Sequence, residues 1–471
     1  MFNFRMLILS VVALSGCVSQ TAYVVPKVEL PATVSDVPGL PRVDWVAAAP
    51  ADLQDRGDWW QVFADPQLAA LERRATDSNQ SIEAAMARLL QARSEVKSTR
   101  AEFFPIIGAD VAGSRQRTSA NVAGRSLADK TTNDFSTGLD VSWEPDLFGK
   151  VRQALQSAEA REHASDADFA AVRLSIQAQL AIDYFDLRDA LRQQAILEET
   201  VASLQRAGSL VQVRFNAGIA SELDVAQSDT QLQATQAQLQ DISIRVAQLQ
   251  HAIATVTNDP GSRVELTVRN ADSTVPVTAD ELPSVLLQRR PDIAAAERRV
   301  FASYSDVEVA RAAFFPDLLL TAAGGRESST LANWATLPSR FWTVGPALVG
   351  TLFDGGRRQS QVDSARARNR EAIADYRAVV LGAFQEVQDQ LTATKQLRTE
   401  AQLQAAAVTS AERALRVAMD RYRAGAVSYL EVVTAQSTAL QNERAAADVS
   451  RRQLEATVRL IKAVGGPVAA G

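Results

Sequence analysis

Side chains able to carry covalent, redox or metal chemistry are few and scattered in this 471-residue sequence. Its two histidines, His163 and His251, each stand on a helical stretch with no second ligand three or four residues away, so they read as exposed or packing residues. Asp354-Gly355-Gly356 has the glycines of a tight turn but lacks the Lys-Ser/Thr that a phosphate loop requires. Glu198-Glu199 reads as surface charge, and no serine sits in a nucleophile-elbow pattern. Cys17 is the only cysteine, which excludes an internal disulfide and a thiolate cluster. The reading is therefore of a non-enzyme with no metal and no cofactor. A balance of 49 basic against 55 acidic residues, net −6, also argues against a nucleic-acid partner.

The one explicit chemical instruction lies at the N-terminus. "MFNFRMLILSVVALSGC" carries one basic residue, Arg5, then an apolar run too short to span a bilayer, then Leu14-Ser15-Gly16-Cys17. The pattern reads as a signal peptide over 1–16. Leu-Ser-Gly-Cys resembles the lipobox of bacterial lipoproteins, which implies a covalent lipid on Cys17. Val18-Ser19 supplies no Asp, a pattern resembling outer-membrane sorting. The segment 17–57 is rich in proline and is expected to be an extended, lipid-anchored linker.

Most of the remaining chain is written twice. "RAEFFPIIGADVAGSR" (100–115) and "RAAFFPDLLLTAAGGR" (311–326) share eight of sixteen positions at an offset of 211. "SIEAAMAR" (81–88) matches "DIAAAERR" (292–299) in the same register, and "RFNAGIASELDV" (214–225) matches "RYRAGAVSYLEV" (421–432) at an offset of 207. The expected organisation is a first repeat over 58–258, a connector over 259–280, a second repeat over 281–466 and a tail over 467–471.

Within each repeat very long helices alternate with a strand pair. From Val151 to Ala207 there is neither Pro nor Gly, which predicts a helix of about 85 Å. The next helix carries a heptad, Val225, Leu232, Leu239, Val246 and Ile253, repeated more weakly as Val433, Leu440, Ala447, Leu454 and Ile461. Such spacing specifies a left-handed coiled coil. Phe104-Pro105 ends a helix, and alternation takes over. Strands are expected near 105–113, 135–145, 316–324 and 341–352. In them Phe135, Leu139, Val141, Trp143, Trp342, Val344 and Leu348 alternate with small or polar residues and form a lipid-facing side. A soluble half-buried hairpin shows the same alternation; the export signal and projecting helices favour the membrane strand. Four strands cannot close a barrel, so several chains must pool theirs.

At this point the residues resemble a known family. "LPSVLLQRRPDIAAAERR" (282–299), "DWWQVFADPQL" (58–68), the two "FFP" turns, "LFDGGRR" (352–358) and "RYRAGAVSYLEVVTAQ" (421–436) are similar to the motifs of TolC-like outer-membrane efflux proteins, in the lipoprotein branch called NodT-type. The resemblance runs in order over nearly the whole mature chain. It implies a mainly α fold with a small β part: a homotrimer whose long coiled-coil helices form a periplasmic α-barrel topped by a twelve-stranded transmembrane β-barrel, four strands per chain. It also implies a passive duct for small molecules such as drugs. The implied partners are a periplasmic membrane-fusion adaptor, an inner-membrane efflux transporter of RND type and outer-membrane lipid. By the same resemblance the turns at Gly218 and Gly425, with Arg214 and Arg421, form the periplasmic tip that meets the adaptor. Leu430 takes the place of an apolar constriction, with Leu223, Asp224 and Glu431 beside it, and Thr434 stands where several relatives carry an acid. The competing reading, a lipid-anchored periplasmic coiled-coil scaffold without a pore, explains Cys17 and the heptads but not the duplicated hairpins.

Overall fold

The computed structural model describes residues 23–31, 33–34, 42–44, 57–121, 129–261, 266 and 282–466. Cys17, the segment 1–16, most of the connector over 259–280 and the tail over 467–471 lie outside the described residues. Along the chain run β1 (Glu29–Pro31), β2 (Thr33–Val34), β3 (Arg42–Asp44), α1 (Pro66–Ser78), α2 (Gln80–Ala101), β4 (Ile106–Arg117), β5 (Thr131–Trp143), α3 (Lys150–Asn216) and α4 (Glu222–Val256). Then follow β6 (Leu282–Pro283), α5 (Pro291–Ala312), β7 (Asp317–Ser328), α6 (Leu331–Trp334), β8 (Arg340–Val349), α7 (Arg357–Arg423) and α8 (Tyr429–Ala463). The fold is mainly helical with a small sheet.

Four pairs of elements agree in length between the two copies, while β5 and β8 differ, with 13 and 10 residues. α2 and α5 each have 22 residues, β4 and β7 have 12, α3 and α7 have 67, and α4 and α8 have 35. A 67-residue helix is about 100 Å long, longer than the sequence suggested, because Gly208 does not end α3. It lies where a Cβ would come within 2.9 Å of Ser228 Oγ, so its lack of a side chain lets α4 approach.

By packing, however, the chain divides across the repeats. One compact unit takes 88–165 and 296–376, with the N-terminal residues to Pro26; the other takes 27–87, 166–295 and 377–471. Both units draw on both copies, and within the second unit the first copy also packs on itself, α1, α3 and α4 meeting through Ala75, Leu180, Leu187, Val246, Leu249 and Ile253.

In the second unit the "DWW" motif supplies the core. Trp59, Trp60 and Phe63 pack with Leu68, Tyr184, Phe185, Leu454, Val458 and Ile461. Asp65 caps α1, accepting from the Gln67 and Leu68 amides, and also takes the Tyr184 hydroxyl at 2.6 Å and Arg188 at 3.0 Å. The Arg-Pro-Asp motif is a clamp. Pro291 opens α5, and the buried Arg290 guanidinium grips both Asp292 oxygens, Glu386 at 2.7 Å and the Ala463 carbonyl at 2.9 Å. Segments of the expected linker are stitched in as short strands, β1 to β3 and β2 to β6.

In the first unit α3, α5 and α7 lie close through small and polar side chains. Ser157 donates to Ala302 O and to Asp306 at 2.7 Å, and Asn369 donates to Ser303. The same unit holds an antiparallel sheet of order β4-β5-β7-β8. Both hairpins run further toward their loops than expected: β4 continues to Arg117 and β5 begins at Thr131. The polar residues there suggested loop, yet their backbones pair, Arg115 with Asn133 and Arg117 with Thr131.

Candidate functional site: the strand faces and the helix tips

The register fixes which strand side chains share a face, since directly opposed residues point the same way and neighbours along a strand point oppositely. Ile107 faces Val141, Ala109 faces Leu139, and Gly113 faces Phe135. Trp143 faces Leu320, and Leu139 faces Gly324. Leu318 faces Leu348, Ala322 faces Val344, and Gly324 faces Trp342. All seven residues expected to meet lipid therefore lie on one side, with Ile107, Val111, Leu318 and Leu320. Trp342, Val344 and Leu348 are strongly exposed, at 80%, 69% and 67%. Trp143 ends this face, its indole N–H donating to Phe103 O at 3.0 Å.

The other face carries Gly108, Asp110, Ser114, Asp134, Ser136, Gly138, Asp140 and Ser142 on the first hairpin. Asp317, Thr321, Gly325, Glu327, Thr343 and Gly345 continue it on the second. Every acidic residue of these four strands is here. Asp140 stands opposite Gly108 and Asp110 opposite Gly138, and a Cβ on either glycine would collide with the facing carboxylate. The glycines give the acids room. One face is mainly apolar along its middle; the other, though it also carries Ile106, Leu319, Phe341 and Val349, is mostly small or polar and holds all the acids.

In the second unit each long helix turns into its partner through the same device. Gly218, at φ +72°, follows α3, and Ile219 N reaches back to Arg214 O while Gly218 N bonds Phe215 O. Gly425, at φ +77°, follows α7 with the matching bonds to Arg421 O and Tyr422 O. This is the Schellman closure, and its left-handed residue is why glycine stands at both turns.

The side chains around the two turns differ. Arg214 donates to Tyr422 O at 3.0 Å and lies 4.9 Å from that ring's centre. Its repeat partner Arg421 is exposed and has no side-chain partner among the described residues. Asp224, expected beside the gate, closes a capping box with Ser221 at the start of α4. Ser428, at the start of α8, makes no side-chain cap, which leaves Glu431 exposed. Leu430 and Leu223 are 54% and 65% exposed. Thr434 returns its hydroxyl to Leu430 O. Leu430, Glu431 and Thr434 line an open groove with Arg413, Val417 and Arg421. Beneath lie Val211, Tyr422, Tyr429 and Val432. Burial raises both tyrosine hydroxyls above the usual phenol range, so they stay neutral.

The profile of the outer membrane efflux protein family matches residues 71–259 and 282–466, one segment in each sequence repeat. The chain belongs to that family. It is 32% identical over 428 residues to the pyoverdine export outer membrane protein OpmQ of Pseudomonas aeruginosa, with 90% of each chain covered. It is 28% identical to the cation efflux system protein CusC of Escherichia coli K12, covering 96% of this chain and 97% of CusC. Among solved structures it superposes on the outer-membrane channel OprN with a TM-score of 0.83 at 27% identity, covering 96% of this chain and 99% of that one. The open-state outer membrane channel MtrE of Neisseria gonorrhoeae gives 0.80 at 25% identity, over 96% and 98%.

As a member of the efflux family the chain is an outer-membrane efflux channel protein, and the poreless scaffold falls away. In this family member the sequence reading missed two features of the site. The tilted Tyr422–Tyr429 ring pair, with centres 5.3 Å apart, is one; only its spacing across the Gly425 turn could have announced it. The separation of strand charges by face is the other, and alternation carried to the strand ends would have exposed it.

Proposed function

We propose that three copies of this chain close a twelve-stranded barrel in the outer membrane and form a passive duct, enzymatically inert, for small molecules such as drugs. One observation carries this reading: among the described residues the sheet has unpaired edges at β4 and β8, one apolar face and one acidic face. An open edge in hydrocarbon leaves backbone groups without partners, so the edges must meet those of sister copies. The helices add support. α8 buries fourteen residues in the chain but its repeat partner α4 only six, which leaves α4 a flank for a neighbour.

A lipid on Cys17 fits the same picture. Tyr23 packs on Phe301 of α5 at 4.9 Å, and the six residues from 17 to 23 reach at most about 20 Å. Tyr23 thus packs on the helix that leads into β7. The turns at Gly218 and Gly425, with Arg214 and Arg421, present the surface for a periplasmic adaptor. The adaptor links the duct to an inner-membrane transporter of RND type. Leu430, Leu223, Glu431 and Thr434 border the aperture at that end; Leu430 seals it by apolar contact, and Asp224 is the cap that holds α4. Relatives named for pyoverdine export, cation efflux and antibiotic efflux share the family, so cargo is chosen upstream and size sets the limit here.

The test is the purified mature protein in a planar bilayer, with its mass measured in parallel. A trimer with discrete conductance steps is expected. A stable monomer, or a trimer silent at every voltage, would end this reading.

A further inference from the structure

The charges of the four long strands divide completely by face. All five acids, Asp110, Asp134, Asp140, Asp317 and Glu327, point to the polar side; all four arginines, Arg115, Arg117, Arg326 and Arg340, point to the apolar side. The arginines also gather at one end. Each lies at the hairpin-loop end of its strand, whereas the helix end of the same face shows Ile107, Trp143, Leu318 and Leu348. From Leu318 to Arg326 is eight residues along β7, about 26 Å of strand, close to the height of a membrane barrel's apolar band. The guanidiniums stand where hydrocarbon gives way to headgroups.

Two of them are set against each other. Arg326 and Arg340 are direct cross-strand partners, and like charges so placed repel. Arg326 is steadied by the Ala335 carbonyl at 3.1 Å and the Trp334 ring. Arg117 pairs with Asp129. Arg115 and Arg340 are exposed and have no side-chain partner among the described residues. An anion lodged between Arg326 and Arg340 would turn their repulsion into two charge-assisted contacts, and guanidinium forks match phosphate oxygens.

We propose that this arginine belt binds the phosphate-bearing headgroups of a phosphorylated glycolipid in the outer leaflet. Arg115 comes alongside Arg340 when the β8 edge of one copy meets the β4 edge of the next. The proposal rests on the barrel reading above, with the hairpin loops outside the cell. It places a lipid site on the outer wall, distinct from the duct.

The experiment uses the full-length trimer in nanodiscs, titrated with diphosphoryl lipid A or with the same lipid after phosphate removal, with bound lipid counted by native mass spectrometry. Arg115→Gln and Arg340→Gln are the variants, because neither side chain supports the fold, and Arg340→Lys asks whether the fork matters. The diphosphoryl form should be retained and the dephosphorylated form lost. Each glutamine should weaken retention about fivefold, lysine should recover part of it, and conductance should be unchanged. Equal retention of the dephosphorylated lipid, displacement by inorganic phosphate, or undiminished binding by the double variant would overturn the belt while leaving the channel intact. A wild-type protein without conductance would instead remove the barrel reading on which the belt stands.

Discussion

Glu72 is the residue most at odds with its surroundings. It is fully buried on α1, neither carboxylate oxygen has a hydrogen-bond partner among the described residues, and burial pushes its pKa from 4.5 to about 9. Folded, the side chain is a neutral acid at pH 7; unfolded, it ionises. Below pH 4.5 both states hold the proton and no penalty exists. As pH rises toward 9 the unfolded state alone loses it, so stability falls across that window, by about 3 kcal/mol at pH 7. Glu72→Gln should therefore raise the unfolding midpoint at pH 7 to 8 and leave it unmoved at pH 4; equal shifts at both values would refute the assignment. The position was legible, since Leu68, Glu72 and Ala75 follow helical spacing on one face. Arg290 was legible only as a motif. Its grip on Asp292, Glu386 and the Ala463 carbonyl joins residues up to 173 apart in sequence, beyond what spacing alone can reveal.

The strands were read from alternation, and their faces came out as expected because period two leaves no freedom once one side is apolar. Their ends did not, since Arg115, Arg117 and Thr131 look like loop residues and pair as strand only because a partner is present. Adjacent residues of β8 offer a sharp comparison. Val344→Arg places a charge on the lipid side near mid-strand and should cost about 2 to 4 kcal/mol, seen as loss of membrane-inserted trimer. Thr343→Arg, one residue away on the polar face, should assemble normally and change ion preference. Similar losses in both would show that the faces are not distinguished by their solvents. The heptad was clearer in α4 than in α8, yet α8 buries more residues, a difference set by neighbours rather than by either helix's own pattern.

The duplication was plain in the sequence, and its long helices match in length between the copies. Compactness nevertheless follows units that mix the two copies, although α3 also packs on α4 within its own copy. At this scale the polar strand face acts as a sum. Each chain contributes five acids and no base to that face, and a closed ring multiplies that field around the bore. The trimer should favour cations, and Asp110→Asn with Asp140→Asn should bring the reversal potential in a salt gradient closer to zero. An unchanged potential would place selectivity elsewhere.

Duplication has also left its two corners unequal. Ser221 and Asp224 rivet the beginning of α4 with reciprocal bonds, whereas Ser428 leaves the beginning of α8 without that fastening. The first turn of α8 can therefore loosen without surrendering a cap, while that of α4 must break one. Fraying is cheaper on the side that carries Leu430, and a widening aperture would begin from that corner.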